Sequence, residues 1–282
     1  MSKDYIIQKA VEIAKVKKNR RLTLDEYAAR FFAYYKYDGC CAVLRDGYTF
    51  SRTGEEYKCL NEVARYLSRE YPDKVFIGEA WWPGKDQFNL ISGAFRRQEE
   101  NDKLMFMVHD VIPEDDFHKG MCIIPFNQRG MEETLDDMLG GRIMEARGWA
   151  PGTYGNPQDK CNEVVALGGY DGLILRDPDG AWVRGSGTTG EIVKIKRKLS
   201  FDLEVLEVNV VKGEKTGRDV YKLVVAFNGG RLGVGSGVPH NPCDVPKVGD
   251  IVEVEAMDYS SDGLLREPRF KGIRFDKLRA DG

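Results

Sequence analysis

Apolar and polar residues alternate with a period of two over several short stretches of the chain, and this pattern predicts β-strands. The Asp46-Gly47 pair lies between two such stretches and predicts a tight hairpin turn. The predicted strands occupy residues 31–52 (a hairpin), 75–82, 104–112, 170–176 and 191–197. Apolar residues at helical spacing predict helices over 3–17, 55–70, 86–100, 131–140 and 161–167. The first part of the chain is therefore predicted to mix strands and helices.

The pattern changes after Leu199. Residues 201–282 are rich in glycine and hold alternating strands at 201–208, 221–227 and 248–256. Short strands at this spacing, within roughly 80 residues, are typical of a small β-barrel. The sequence thus predicts two domains, residues 1–199 and 200–282.

The composition excludes several classes of protein. The chain has 282 residues, 42% of them hydrophobic, and a net charge of −3, so it lacks the overall basic signature of a nucleic-acid-binding protein. Local basic patches can still contact phosphates. Six cysteines without a CxxC pair and only three histidines argue against a zinc site and favour free thiols in the cytoplasm. The charged N-terminus is unlike a signal peptide, and no apolar run approaches about 18 residues, so we expect no membrane span.

Lys36 is the first candidate for chemistry, because the segment Lys36-Tyr37-Asp38-Gly39 follows an aromatic run at 31–35. A free lysine has a pKa of about 10.4, so it can attack an electrophile only where its surroundings lower that pKa. Gly39 would let the backbone approach a ligand closely. The alternative is an exposed strand end with a hairpin turn, and these four residues alone do not decide between the two.

Two further strands carry charges that need an explanation. Glu79 is the one acid of the apolar strand 75–82, and a buried carboxylate needs either a ligand or a salt bridge. Lys194 and Lys196 share one face of the strand 191–197. Two neighbouring lysines repel each other unless an anion lies between them, so this face either binds an anion or lies at a solvent-facing edge.

Six short motifs follow one another along the chain: Lys36-x-Asp38-Gly39, Ser51-Arg52-Thr53-Gly54, Gly78-Glu79, Asp171-Gly172-Leu173-Ile174-Leu175-Arg176, Lys194-Ile195-Lys196, and Arg269 with Arg274-Phe275-Asp276-Lys277. In this order and spacing they resemble the covalent nucleotidyltransferase superfamily. Within it, they are most similar to the ATP-dependent DNA ligases of the short bacteriophage and bacterial type. The resemblance spans about residues 30–277 and is weakest over 113–160.

The resemblance implies an α+β fold: an adenylation domain (a nucleotidyltransferase domain, ATP-grasp-like) with antiparallel sheets and flanking helices, followed by an all-β OB-fold barrel. It implies an ATP- and Mg²⁺-dependent enzyme that seals nicks in duplex DNA in three steps. Lysyl-AMP forms, AMP passes to the 5′-phosphate of the nick, and the 3′-hydroxyl then displaces AMP. A monomer acting in replication, repair or recombination, in a bacterial or phage-infected cytoplasm, is expected.

The resemblance also implies a role for each motif residue. Lys36 would be the nucleophile, and Glu79 and Asp171 would bind the metal. Lys194 and Lys196 would hold the phosphates and lower the pKa of Lys36 by repulsion. The residues expected to contact the nucleotide are Tyr37, Arg52, Glu79, His109, Lys194, Lys196, Arg269, Arg274, Asp276 and Lys277. The last four would reach over ATP during the first step to orient pyrophosphate.

Two positions depart from the family pattern. The fourth motif begins with Asp171 where the family usually has glutamate, so a direct bond from this shorter side chain to the metal is in doubt. His109 stands where the family usually has an aromatic residue that stacks on adenine. An imidazole can stack but is smaller and titratable, and the alternative is a core histidine.

Three other functions remain open. An RNA ligase or an mRNA capping guanylyltransferase would use the same chemistry, whereas a non-catalytic OB-type binding module would form no covalent adduct. A basic cluster near the N-terminus is either a solvated helix end or a contact for duplex DNA together with the loop at 85–100. The cluster consists of Lys15, Lys17, Lys18, Arg20 and Arg21.

Overall fold

The computed structural model describes residues 4–85, 87–130, 134–136, 138–197, 199–212, 217, 219–260, 262–277 and 279–280. The chain divides into two compact units, residues 1–196 and 197–282. No helix of the described residues is long and apolar enough to cross a membrane. All six cysteines are free thiols.

The first unit is built mainly from short strands. They are β1 Gln8–Lys9, β2 Val11–Glu12, β3 Phe32–Tyr37, β4 Cys40–Arg45, β5 Tyr48–Ser51, β6 Glu56–Tyr57, β7 Lys74–Trp81, β8 Met105–Pro113, β9 Met121–Cys122, β10 Ile143–Glu145, β11 Gly148–Trp149, β12 Tyr170–Arg176, β13 Trp182–Val183, β14 Gly185–Ser186 and β15 Ile192–Ile195. The helices are α1 Leu24–Arg30, α2 Asn61–Glu70, α3 Phe88–Arg96, α4 Glu114–Lys119, α5 Met138–Gly141 and α6 Pro157–Leu167. Short 3₁₀ turns occupy Ile13–Lys15, Lys18–Arg20 and Phe126–Gln128.

Two larger sheets carry the candidate residues. The first has six strands in the order β10-β8-β7-β4-β5-β6, and the second has five in the order β11-β3-β12-β15-β2. Most neighbours are antiparallel, but β10 and β2 pair in parallel with β8 and β15. The cores hold Phe76, Phe106 and Leu67 on the first sheet, and Tyr27, Leu173 and Val193 on the second. The chain thus has the mixed α/β architecture with antiparallel sheets that we expected.

The predicted hairpin at Asp46-Gly47 is confirmed. Both residues have positive φ, 52° and 79°, as a two-residue hairpin turn requires, and they join β4 to β5. The strands predicted at 75–82, 104–112, 170–176 and 191–197 correspond to β7, β8, β12 and β15.

The helix predicted over residues 3–17 is wrong. Backbone groups of this segment pair with other strands instead of with each other: β1 pairs with β14 and β2 with β15. The first helix is α1, which the sequence analysis missed although its signal was present. Thr23 and Glu26 form a capping box, in which each side chain binds the backbone N–H of the other residue.

Two other helix predictions need correction. Residues 55–60 are not helical, because Glu56–Tyr57 pairs with β5, and α2 begins at Asn61. The side chain of Asn61 accepts the N–H of Thr49 at 3.0 Å, which ties the helix start to the sheet. Near 131–140 the described part is the kinked turn α5, and residues 131–133 and 137 lie outside the described residues.

The second unit is an antiparallel sheet with a short hairpin. Its strands are β16 Leu199–Lys212, β17 Asp219–Phe227, β18 Gly230–Val234, β19 Ile251–Ala256, β20 Asp258–Tyr259, β21 Leu265–Arg266 and β22 Arg269–Ile273, with a 3₁₀ turn at Pro242–Asp244. Five strands form one sheet in the order β18-β17-β16-β19-β22. The predicted barrel is not confirmed, since the ladders of the described residues leave this sheet open. A single bridge joins Ser236, after β18, to Arg269 on β22.

Candidate active site

Lys36 stands near the end of β3, and its side chain reaches the acid on the neighbouring strand β12. Its Nζ donates to Asp171 Oδ2 at 3.1 Å. The Lys36 side chain is 22% exposed and that of Asp171 is 11% exposed. The pair therefore lies at the border between core and solvent, where a ligand can reach it.

Asp171 owes its position to a β-bulge. Tyr170 faces Tyr37 and Gly172 faces Lys36, so Asp171 is the extra residue between these two pairs. A bulge redirects the side chain of its extra residue. Gly172 is required here, because it has φ +139° and a Cβ would lie 2.0 Å from Ile195 O. The sequence Asp171-Gly172 thus aims a carboxylate at Lys36.

Lys196 contacts the same carboxylate from the other side. It follows β15, and its Nζ lies 3.0 Å from Asp171 Oδ2. The second oxygen, Oδ1, is buried and has no hydrogen-bond partner among the described residues. A buried oxygen without a partner is costly and indicates a missing ligand.

Glu79 is the second acid of the site. It lies on β7, is half-buried, and makes no ion pair with any residue of the described ranges. Burial raises the pKa of its carboxyl to about 7, and Asp171 and Asp38 add to this rise while Lys36 opposes it. Within the described ranges Glu79 thus forms no salt bridge, and the alternative of a bound ligand stays a prediction.

This pKa makes a prediction for the metal-free protein. Between about pH 4.5 and 7 the native carboxyl binds a proton that the unfolded chain releases, so stability falls as pH rises through this window. Glu79→Gln removes the titrating group. At pH 8 we expect the free energy of unfolding of the variant to exceed that of the unaltered protein by up to about 3 kcal/mol. At pH 4 we expect a much smaller difference.

Urea unfolding in EDTA at the two pH values measures this difference. Glu56→Gln, an exposed acid on β6, is the matched control and should show no such pH-dependent gain. Equal gains for Glu79→Gln at pH 4 and pH 8 would show that the native Glu79 carboxyl titrates as it does in the unfolded chain.

The expected lowering of the pKa of Lys36 is wrong for the protein alone. Burial does lower it, but the carboxylates of Asp171, Glu79 and Asp38 outweigh burial and raise the pKa above its ordinary value. Three acids surround this lysine, and the sequence analysis had weighed only the two lysines. A free amine at Lys36 therefore requires that these negative charges be neutralised.

Lys194 lies in the interior of its sheet. The strand β15 has β12 on one side and β2 on the other, so the solvent-facing edge proposed for this strand is wrong. Burial lowers the pKa of Lys194, and the charges of Lys196 and Lys36 add to the effect. Lys194 therefore lies within electrostatic reach of Lys36, Lys196 and Asp171, of which the two other lysines contact the carboxylate directly.

Arg52 and Tyr37 border the same site. Arg52 follows β5 and lies close enough to lower the pKa of Glu79 by its charge. Tyr37 is 3% exposed, and its hydroxyl accepts the backbone N–H of Arg147 at 3.2 Å. The side chain of Tyr37 therefore forms part of the wall, and its contact with a nucleotide stays a prediction.

His109 lies beside Tyr37 at a second bulge. The ring centroids are 5.9 Å apart with the planes at 66°. Ile77 faces Asp110 and Gly78 faces Val108, so His109 is the extra residue on β8. Burial lowers its pKa to about 3, and Arg176 and Lys36 contribute, so the imidazole is neutral at working pH. The alternatives of a stacking and a core histidine both fit this half-buried ring.

The second unit gathers the last motif around Asp202. Arg274 Nη1 donates to both oxygens of Asp202 at 2.9 Å, and its Nε and Nη2 donate to Asp276 at 2.9 and 2.7 Å. Lys277 also pairs with Asp202, and Arg269 is exposed on β22. The sequence analysis missed Asp202, although an acid between two apolar residues of a predicted strand was a usable signal.

Solved structures with a similar fold include DNA ligases. One, from a structure-function analysis of Lig E DNA ligases, is 18% identical with a TM-score of 0.69, covering 94% of this chain and 99% of that chain. Pmar-Lig_Pre is 21% identical with a TM-score of 0.72, over 97% of this chain and 68% of its own. The ATP-dependent DNA ligase from bacteriophage T7, in complex with ATP, is 18% identical with a TM-score of 0.55, over 95% and 98%.

No family model and no curated protein matches the chain. The structural likeness nevertheless spans nearly the whole chain, so this protein has the fold of the ATP-dependent DNA ligases. At 18–21% identity the likeness extends to the fold and not to single residues.

Proposed function

We propose that this protein is an ATP-dependent DNA ligase that seals nicks in duplex DNA through a Lys36-AMP intermediate. The observation that carries the proposal is the meeting of Lys36, Asp171 and Lys196 at one partly exposed point. Three separate motifs supply these residues, and the fold is that of the Lig E and bacteriophage T7 DNA ligases.

In the first step the amine of Lys36 attacks the α-phosphate of ATP, a P–N bond forms and pyrophosphate leaves. The attack needs an aligned nucleophile and cations that hold the developing charge. Asp171 aligns Lys36, and Lys194 and Lys196 supply fixed cations beside it. We assign Arg52, Tyr37 and His109 to the nucleotide pocket on the same grounds.

Glu79 and Asp171 fit a magnesium site. Magnesium takes one or two carboxylates and fills its other positions with water and phosphate oxygens. We assign Glu79 and Asp171 as its two protein donors, and no group of three or more metal-binding side chains occurs among the described residues. When bound, Mg²⁺ would supply positive charge that neutralises these acids, and the unpartnered Asp171 Oδ1 is the atom we assign to it.

The second and third steps act on the nick. AMP passes to the 5′-phosphate, and the 3′-hydroxyl then displaces it. We assign residues 1–199 to the adenylation domain and 200–282 to an OB-type domain, supported by the five-stranded sheet and its single bridge. Arg269, Arg274, Asp276 and Lys277 would orient pyrophosphate in the first step. We further propose that the protein acts as a monomer in the cytoplasm of a bacterium or of a phage-infected host.

Sealing assays test this function directly. The substrate is a 5′-labelled nick in duplex DNA, and the parallel substrates are the same nick in RNA and a diphosphate-ended RNA. We expect sealing of the DNA nick with ATP and Mg²⁺. Sealing confined to RNA would indicate an RNA ligase, and GMP transfer to the RNA end would indicate a capping enzyme. Binding without any product would support the non-catalytic module.

The basic cluster makes a prediction about DNA affinity. Lys15, Lys17 and Lys18 are exposed, whereas Arg20 pairs with Glu191 and Arg21 donates to backbone carbonyls. Replacing the three lysines with glutamine should lower the slope of log Kd against log salt by about 2 to 3 for a nicked duplex. The matched control replaces three other exposed lysines, Lys58, Lys103 and Lys119. An unchanged slope would remove the cluster from the DNA interface.

A further inference from the structure

A buried ionic cluster lies directly behind His109. Asp110, Arg129 and Arg176 are 4%, 6% and 5% exposed. Arg129 donates to both oxygens of Asp110 at 3.0 Å, and Arg176 donates to the same carboxylate. Burying three charges is costly unless they are well paired, and here both guanidinium groups pair with one carboxylate.

The cluster reaches the backbone of His109. Arg176 Nη1 donates to the carbonyl oxygen of His109 at 3.1 Å. His109 is the extra residue of the bulge on β8, where the regular ladder to β7 is interrupted. Because a bulge leaves backbone groups of its extra residue outside the regular ladder, the guanidinium of Arg176 replaces the missing strand partner.

Arg129 locks this arrangement from a different part of the chain. It belongs to the stretch 113–160, to which the motifs assign no role. Its Nη1 donates to the carbonyls of Ile124 and Gly180. The guanidinium therefore connects two loops with the carboxylate of Asp110. Phe126, three residues earlier, places its ring 4.0 Å below the guanidinium of Arg176. Arg129 and Phe126 together fix Arg176, and Arg176 fixes His109.

We propose that Arg129 is a positioning residue for nucleobase recognition: through Asp110 and Arg176 it holds the bulge that presents His109 to the base of ATP. The proposal rests on the function proposed above, because it takes the pocket beside Lys36 as the nucleotide site. It gives the stretch 113–160 a role in selecting the nucleotide, without contact to the reacting atoms.

The consequence is a specific kinetic signature. Without the bidentate contact of Arg129 with Asp110, the bulge at His109 is less firmly held. The base of ATP then binds less tightly, while Lys36, Lys194 and Lys196 stay in place. Arg129→Lys keeps the charge and loses the bidentate contact. We expect KM for ATP in lysyl-AMP formation to rise about tenfold, equivalent to about 1.4 kcal/mol, with kcat changed less than about threefold. The preference for ATP over GTP should fall by a similar factor.

The matched control is Arg142→Lys. Arg142 also bridges two acids, Glu62 and Glu100, and donates to a backbone carbonyl, but none of its contacts involves His109. Thermal unfolding of both variants separates lost stability from lost recognition. If Arg129→Lys does not fold, Phe126→Leu carries the test. It removes the ring beneath Arg176, together with the edge contacts of that ring to Phe32 and Tyr34, and should raise KM in the same direction.

A double-mutant cycle with His109→Ala decides whether the effect passes through the histidine. Arg129→Lys should add little to the KM of the His109→Ala variant. Additive effects, or an unchanged KM and ATP preference in a folded Arg129→Lys variant, would overturn the proposal. Equilibrium binding of ATP and GTP is measured in parallel. If the unaltered protein forms no adduct, the proposed function fails, and the ratio of the two affinities still tests Arg129.

Discussion

We expect that replacing Lys36 with arginine abolishes the proposed AMP transfer to the protein and the sealing of an ordinary nick. Arginine keeps the positive charge and can still pair with Asp171, but its guanidinium stays protonated and cannot form the P–N bond. We expect the rate of adduct formation to fall by about 10³-fold or more, as is usual when a covalent nucleophile is removed. Lys103→Arg, at an exposed turn, is the matched control and should retain full activity.

The same variant separates the three steps. A nick that already carries AMP on its 5′-phosphate needs only the third step, in which the 3′-hydroxyl displaces AMP. Lys36→Arg should therefore still seal a pre-adenylylated nick while failing on a plain one. Full adduct formation by the variant would assign the nucleophile elsewhere, and failure on both substrates by a folded variant would give Lys36 a role in binding DNA.

Asp171→Asn has the second-largest expected effect. Asparagine is nearly the same shape and can still accept from Lys36, so the fold should persist. Without the carboxylate, the site loses the shared partner of Lys36 and Lys196 and one of the two acids assigned to magnesium. Removal of one charged group of this kind lowers rates by about 10² to 10³, and we expect adduct formation to fall by that amount.

The pH dependence distinguishes this loss from simple unfolding. Asp171 is the strongest of the charges that raise the pKa of Lys36, so Asp171→Asn should move the rising limb of the pH–rate profile to lower pH. Asp171→Glu restores the carboxylate that the family usually has there and should recover most of the rate. An Asn variant as slow as expected but with an unshifted profile would contradict the pairing of Asp171 with Lys36 during catalysis.

The order of the motifs indicated the fold because the first five motifs lie at the end or in the middle of strands that the alternation predicts. Lys36 on β3 and Glu79 on β7 are examples. The directions of the Asp171 and His109 side chains were not predictable in this way. Asp171 and His109 are both extra residues of bulges, and a bulge depends on the register of two strands that are distant in sequence.

Long-range charge pairing was the other limit. Arg129 binds Asp110 across 19 positions, and Arg274 binds Asp202 across 72, so nothing local marks either pair. The pKa of Lys36 was misjudged for the same reason, since Asp171 on β12 and Glu79 on β7 are both distant from it in sequence. The wrong helix prediction over residues 3–17 has a different cause. Apolar residues at helical spacing form short strands there, because β14 and β15 offer partners for pairing.

The most direct measurement is the intact mass of the protein after incubation with Mg²⁺ and, separately, ATP, GTP or NAD⁺. Any AMP already bound from expression is first removed with pyrophosphate. A Lys36-AMP enzyme gains one AMP from ATP alone, and peptide mapping places the adduct on Lys36. A GMP adduct, or AMP gained from NAD⁺, would contradict the assigned nucleotide. No adduct from any of the three would contradict the ligase mechanism itself.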